Sequence, residues 1–240
     1  MRATGGRGVA KTPGLRAEGE SGGTHREVRA LSPNRTDRVK GHASAGSLGA
    51  DACRRRRFNP TTLPTMPDRK PRLVAFDLDG TLWAPEMYQL WGGGSPFRAS
   101  PCGQHLIDSA GKRLSLLGPT RSLLVELSTS PEWSGVELAY VSTCDEPEWA
   151  RECLPMFALG GGLTMLTAAG HHEIYKAESK QTHFAALARR TGIAFSDMLF
   201  FDNQTDNCEH VSALGVHCVY APGGMTQHVW QAGLSGWRSR

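Results

Sequence analysis

The sequence predicts an α/β protein built on a doubly wound, Rossmann-like parallel sheet. Three observations carry this reading: short apolar runs that do not alternate, helical segments between them, and polar residues gathered where the runs end. Arg72-Leu73-Val74-Ala75-Phe76-Asp77, Glu137-Leu138-Ala139-Tyr140-Val141-Ser142, Met198-Leu199-Phe200-Phe201-Asp202 and Val216-His217-Cys218-Val219-Tyr220 are such runs, with a weaker one at residues 163–167. Unalternating runs of this length suit strands buried on both faces, as in a parallel sheet.

The segments between them repeat apolar residues at three- and four-residue spacings. Residues 119–129, 146–157, 179–191 and 205–214 are expected to be helices. In 179–191, Phe184, Leu187 and Ala188 form an apolar stripe, while Lys180, Arg189 and Arg190 lie off it. Gly192 and Gly215 follow two of these helices, as a left-handed terminating residue would. Strands alternating with helices imply right-handed βαβ crossovers.

Charge divides the 240-residue chain. Residues 1–70 hold 15 Lys+Arg against 6 Asp+Glu, and residues 71–240 hold 12 against 17, which together give the overall +4. Residues 1–66 are rich in Gly, Arg, Ala and Ser with few large apolar side chains. They cannot bury enough surface to offset their ordering entropy, and a disordered basic segment is expected there. Arg54-Arg55-Arg56-Arg57 reads as part of a solvated tail rather than as a nucleic-acid site. The Arg-rich composition suits an organellar import peptide, against which Glu18, Glu20 and Glu27 count. Met66 would also serve as a start for a folded unit over 67–240.

No stretch reaches the roughly 18 apolar residues of a membrane span. Six cysteines show neither a C-x-x-C pair nor metal spacing, which predicts reduced thiols and a cytoplasmic protein.

Ligands of open α/β sheets bind beyond the carboxyl ends of the strands. The predicted strand ends bring Asp77 and Asp79, then Ser142 and Thr143, then Asp202, Asn203 and Asp206 to one edge; Lys180 opens the helix before the last of these strands. Among them, the carboxylates of Asp77, Asp79 and Asp202, the Ser142 hydroxyl and the Lys180 ammonium form an inventory for phosphoryl transfer. A carboxylate such as Asp77 can attack phosphorus and divide hydrolysis into two easier steps. Two anions repel unless a cation intervenes, and Mg²⁺ with hard oxygen ligands is the expected one. Ser142 and Lys180 would hold the phosphoryl oxygens, and Asp79 would serve as general acid and base. Gly80 permits the tight turn between them.

Phe76-Asp77-Leu78-Asp79-Gly80-Thr81-Leu82 resembles motif I of the haloacid dehalogenase superfamily. Ser142 resembles motif II, Lys180 motif III, and Phe200-Phe201-Asp202-Asn203 motif IV, all in the right order. Asp79 resembles the phosphatase branch rather than the dehalogenases. Thr81-Leu82-Trp83, Glu173-Ile174-Tyr175 and Ser179-Lys180-Gln181-Thr182-His183-Phe184 are similar to the magnesium-dependent phosphatase (acid phosphatase-like) family.

That resemblance covers residues 70–235 and implies a core without a large cap domain; the Gly- and Pro-rich stretch 84–118 would be a short flap loop. It implies Mg²⁺ held by Asp77, the Asp79 main-chain carbonyl and Asp202. It also implies a phosphorylated small molecule or phosphoprotein as substrate, with phosphotyrosine and sugar phosphates as examples. Two positions depart from the family pattern. Asn203 stands where a second aspartate is usual, so that Asn203 or Asp206 would assist the metal, and Thr143 stands where an arginine is expected. The Asn203 departure leaves one alternative, a catalytically weak binding module whose basic tail docks to nucleic acid or an acidic partner.

Trp83, Trp91 and Phe97 are expected either to line the substrate entrance or to pack the flap. His171 and His172 are expected to be solvated, and His183 to make a structural hydrogen bond.

Overall fold

A computed structural model of the chain describes residues 69–240, so the expected basic segment and the boundary at 66/67 lie outside the described residues. In chain order, β1 (Leu73–Phe76) is followed by four short strands: β2 (Trp83–Ala84), β3 (Arg98–Ala99), β4 (His105–Ile107) and β5 (Arg113–Leu116). Helix α1 (Thr120–Thr129) leads to β6 (Glu137–Ser142), then to α2 (Pro147–Met156) and the hairpin β7 (Ala158–Gly160) and β8 (Leu163–Thr164). The chain continues through α3 (Met165–Ala168), β9 (His171–Ile174), α4 (Lys180–Thr191), β10 (Met198–Asp202), α5 (Thr205–Ser212), β11 (His217–Tyr220) and α6 (Gln227–Arg238).

The central sheet has the order β11-β10-β1-β6-β9, every pair parallel. Its residues alternate between two buried clusters. Val74, Phe76, Leu138, Tyr140, Leu199 and Phe201 pack with α1, α2, α3 and α6. Leu73, Ala75, Ala139, Val141, Met198 and Phe200 pack with Phe184 and Leu187 of α4 and Val211 of α5. Helices thus cover both faces, which is why the three inner strands β10, β1 and β6 are mostly apolar. Each fully buried Leu or Phe contributes about 1.5–3 kcal/mol to holding these layers.

Helix α4 shows how sequence sets an element. The Ser179 side chain accepts from Gln181 N at its start, and Gly192 ends it at φ +67°, a backbone that only glycine adopts without strain.

The structure corrects the sequence reading in four places. Residues 163–167 do not form a sheet strand; Leu163–Thr164 closes a two-stranded hairpin and Met165–Ala168 is helical. The fifth parallel strand is instead His171–Ile174 at the sheet edge. Residues 83–116 are not a loop but an antiparallel sheet, β2-β5-β4-β3, whose Trp83, Phe97, Leu106 and Leu114 enter the main core. Finally, α6 was not anticipated, although Trp230, Leu234 and Trp237 lie on one helical face and are buried.

No described helix is long and apolar enough to cross a membrane, and Cys102, Cys144, Cys153, Cys208 and Cys218 are all free.

Candidate active site

Register brings the site together. Phe76 pairs with Phe201 on one side and Tyr140 on the other, so the next residue, Asp77, stands beside Asp202 and close to the end of β6. Asp77 N donates to Phe201 O at 2.9 Å, which fixes that edge. A cavity of about 420 Å³ opens there, and among its lining residues are Asp77, Asp79, Ser142, Thr143, Lys180 and Asp206. Asp202 lies beneath it, fully buried. Asn203 packs beside the motif I turn instead of among the lining residues, with its main-chain N 3.0 Å from Thr81 Oγ1.

Lys180 Nζ sits 2.6 Å from Asp77 Oδ1 and 2.5 Å from Asp202 Oδ2, with all three side chains buried. Burial alone would disfavour the ammonium, but the two carboxylates overcome it and raise the Lys180 pKa. Asp77 is pushed up to about 7, chiefly by burial, with Lys180 pulling it down and Asp202 pushing it further up. Lys176, four residues before Lys180, is exposed and pairs with Asp145 at 2.8 Å.

Asp79 is held by three donors. Trp83 Nε1 donates to Oδ1 at 2.6 Å, and Met87 N and Cys144 Sγ donate to Oδ2 at 3.1 and 3.7 Å. Burial nevertheless raises its pKa, against the lowering by Trp83 and Met87. A buried carboxyl with a raised pKa is suited to carry and return a proton. Gly80 makes the turn between the two aspartates with φ +72°. Thr81 Oγ1 lies 3.2 Å from Asp77 Oδ2 and 3.4 Å from Asn203 Oδ1, and its hydroxyl can donate to either.

Ser142 ends β6, buried and facing the cavity, while Thr143 is exposed on its wall. Asp206 is exposed in the first turn of α5; the α5 side chain that reaches Asp202 is Asn207, at 3.3 Å from Oδ1, beside Gln204 N at 2.8 Å. A further carboxylate, Glu86, lines the cavity and accepts from Asn203 Nδ2 at 3.4 Å. Its pKa is raised first by partial burial and then by Asp79. The sequence reading missed it because it stands on the flap, outside every strand end.

The aromatic residues separate cleanly. Trp83 and Phe97 pack the core, Trp91 is exposed, and Tyr88 lines the cavity mouth. His183 is buried and its Nε2 lies 3.0 Å from Tyr175 O, as expected. His171 and His172 are not simply solvated: His171 Nε2 lies 2.5 Å from Glu137 Oε2, and His172 stacks on Tyr140 with ring centroids 5.6 Å apart.

An open doubly wound core, with buried carboxylates and a lysine at its strand ends and no separate cap among the described residues, is the core of a haloacid dehalogenase-type phosphohydrolase. The model of the acid phosphatase family matches residues 69–240, and the chain belongs to that family. Human magnesium-dependent phosphatase 1 is 36% identical over 169 residues, spanning 69% of this chain and 86% of that protein. A HAD-like hydrolase superfamily protein of Schizosaccharomyces pombe is 30% identical over 152 residues, spanning 61% and 83%. Among solved structures, a phosphatase domain of Bacteroides fragilis complexed with Mg superposes with a TM-score of 0.46 at 16% identity, covering 69% of this chain and 40% of that one. A HAD family enzyme of Bacteroides thetaiotaomicron in a magnesium complex gives 0.44 at 14% identity, covering 68% and 100%.

Proposed function

We propose that this chain hydrolyses phosphate monoesters through an aspartyl-phosphate formed on Asp77, with Mg²⁺ as its cofactor. The observation that carries the reading is the Lys180 ammonium shared by Asp77 and Asp202 beneath an open cavity. Membership of the acid phosphatase family and the 36% identity to a magnesium-dependent phosphatase support it.

The residues present fit the metal. No group of three or more His, Cys, Asp or Glu forms a ready cage among the described residues. Mg²⁺ needs no such cage, because it binds through one or two carboxylates, waters and the substrate phosphate. Asp77, Asp202 and the Asp79 main-chain carbonyl would hold it, all hard oxygen donors, with Asn203 or Asp206 at its edge. When bound, the ion would neutralise phosphoryl oxygens and relieve the repulsion between two anions.

The protein's own residues then divide the work. An Asp77 oxygen bonds to phosphorus as the bond from phosphorus to the ester oxygen breaks. The departing alkoxide takes the proton held by the Asp79 carboxyl. In the second half, Asp79 takes a proton from water, whose oxygen bonds to phosphorus as the aspartyl bond breaks and inorganic phosphate leaves. Lys180 and Ser142 hold the phosphoryl oxygens in line.

No cap covers the cavity among the described residues, and Tyr88 stands exposed at its mouth. An uncovered site admits phosphoproteins as well as sugar phosphates. A panel of phosphotyrosine peptides, sugar phosphates and a generic aryl phosphate, assayed with and without Mg²⁺, tests the reading. Mg²⁺-dependent turnover that is lost in Asp77→Asn supports it. Its absence across the panel would favour a binding module with the same fold.

A further inference from the structure

Glu86 performs no step in the mechanism above, yet the flap holds it in place. Its main-chain N donates to Gln89 Oε1 at 3.1 Å, and the next residue, Met87, donates from its main chain to Asp79 Oδ2 at 3.1 Å. The first bond closes a turn within the flap, and the second ties that turn to Asp79 immediately after Glu86. Its carboxylate Oε1 accepts from Asn203 Nδ2 at 3.4 Å, and Asn203 N donates to Thr81 Oγ1 at 3.0 Å, next to Asp77.

Space for this pair depends on Gly80. A Cβ at that position would fall 2.2 Å from Asn203 Nδ2 and 3.0 Å from Glu86 Oε1. The turn between the two aspartates is therefore shaped to admit the Asn203–Glu86 contact as well as to bend the chain.

Charge gives the contact a purpose. Asp77 and Asp202 share a single ammonium, Asp79 lies close enough to feel it, and the residue after Asp202 is a neutral amide. The Asn203 amide turns its donor toward the flap, so a carboxylate stands one hydrogen bond away from this neutral position. Four carboxylates about one ammonium leave an excess of negative charge that a dication would relieve.

We propose that Glu86 is the flap's contribution to the Mg²⁺ site, a positioning residue that acts through Asn203 and supplies the negative charge the amide at 203 lacks. The proposal rests on the Mg²⁺-dependent phosphatase reading, and its test separates the two. Glu86→Gln removes the charge but keeps an oxygen to accept from Asn203, so flap geometry is retained. Asn203→Asp in that background returns a carboxylate to the site.

Calorimetric titration of Mg²⁺ into each purified protein, without substrate, is the experiment. Wild type is expected to bind, Glu86→Gln to bind about tenfold more weakly, as for residues that support metal ligands, and Glu86→Gln/Asn203→Asp to return to within about threefold of wild type. A wild-type protein that binds no Mg²⁺ overturns the phosphatase reading itself. A wild type that binds with Glu86→Gln within about twofold of it overturns this proposal alone. So does a double variant that stays as weak as Glu86→Gln, since that outcome makes Glu86 a packing residue of the flap.

Discussion

Lys180 Nζ and Asp77 Oδ1 stand 2.6 Å apart at the floor of the site, and neither side chain is more than 6% exposed. The lysine enters from the first turn of α4 and the aspartate from the end of β1, so the pair joins two elements 103 residues apart in sequence. Asp202 shares the same ammonium at 2.5 Å. A buried pair of this kind adds little net stability over an apolar substitute, but removing one partner strands the other.

Lys180→Met, which keeps length and removes charge, leaves Asp77 and Asp202 buried without their counterion. In EDTA its unfolding free energy is expected to fall by about 3–5 kcal/mol, read from urea denaturation. Saturating Mg²⁺ should recover part of that loss, because the ion neutralises the same carboxylates. A variant as stable as wild type in EDTA would contradict the counterion role.

The Asp77 carboxyl gives a pH signature. Its folded pKa of about 7 lies above the ordinary 3.8, mainly because burial disfavours the anion. Through roughly pH 4–7 the folded chain therefore holds a proton that the unfolded chain has released. This contribution is fully present at low pH and is lost as pH rises through about 7. Metal-free wild type should lose stability over that window relative to Asp77→Asn, whose midpoint profile should be flatter. Mg²⁺ affinity should strengthen over the same window, as the proton no longer competes.

Burial raises the proton affinity of Asp79, and Trp83 opposes that rise. Its indole N–H donates to Asp79 Oδ1 at 2.6 Å and favours the anion. Trp83→Phe keeps the ring against Phe157, 5.9 Å away, and removes the donor. The basic limb of the kcat/KM profile, where Asp79 loses the proton it must give, should move to higher pH. Stability should fall by about 1–3 kcal/mol for the unsatisfied carboxylate oxygen. An unmoved limb would take Asp79 out of the acid role.

Gly80→Ala tests the turn. The left-handed backbone at φ +72° costs about 1–2 kcal/mol for a residue with a side chain. The added Cβ also displaces the Asn203 amide. Thermal stability should drop by that amount, and the Mg²⁺ concentration for half-maximal turnover should rise. Unchanged metal dependence would mean that Asn203 moves aside without consequence.

The parts of this molecule most visible in sequence are those buried on both sides. β1, β6 and β10 announce themselves because burial on two faces demands unbroken apolar runs, and β11, only partly buried at the other edge, does so through Val216, Cys218 and Val219. The edge strand β9 does not, since His171-His172-Glu173-Ile174 is half polar. Its glutamate is tolerated because Arg190 pairs with it at 2.7 Å. The flap sheet was hidden by strands of two to four residues among glycines and prolines, too short to show a period. Helix α6 did carry a signal in Trp230, Leu234 and Trp237, obscured by Gly233 and Gly236.

At the candidate site, the convergence of Asp77, Asp79, Ser142 and Lys180 could be read from motif order, and strand register explains why they meet. Glu86 was not, because its place depends on how the flap folds back over Asp79. Nothing in its spacing from Asp77 encodes that.

The nucleophilic role of Asp77 is tested most directly by trapping the intermediate. The enzyme, mixed with Mg²⁺ and substrate and quenched within one turnover, is reduced with borohydride, which converts an acyl phosphate to the alcohol. Peptide mass spectrometry should then find homoserine at position 77, and none there without substrate or in Asp77→Asn. Homoserine at position 79 instead, or none at any aspartate while phosphate is released in a burst, would contradict covalent catalysis by Asp77.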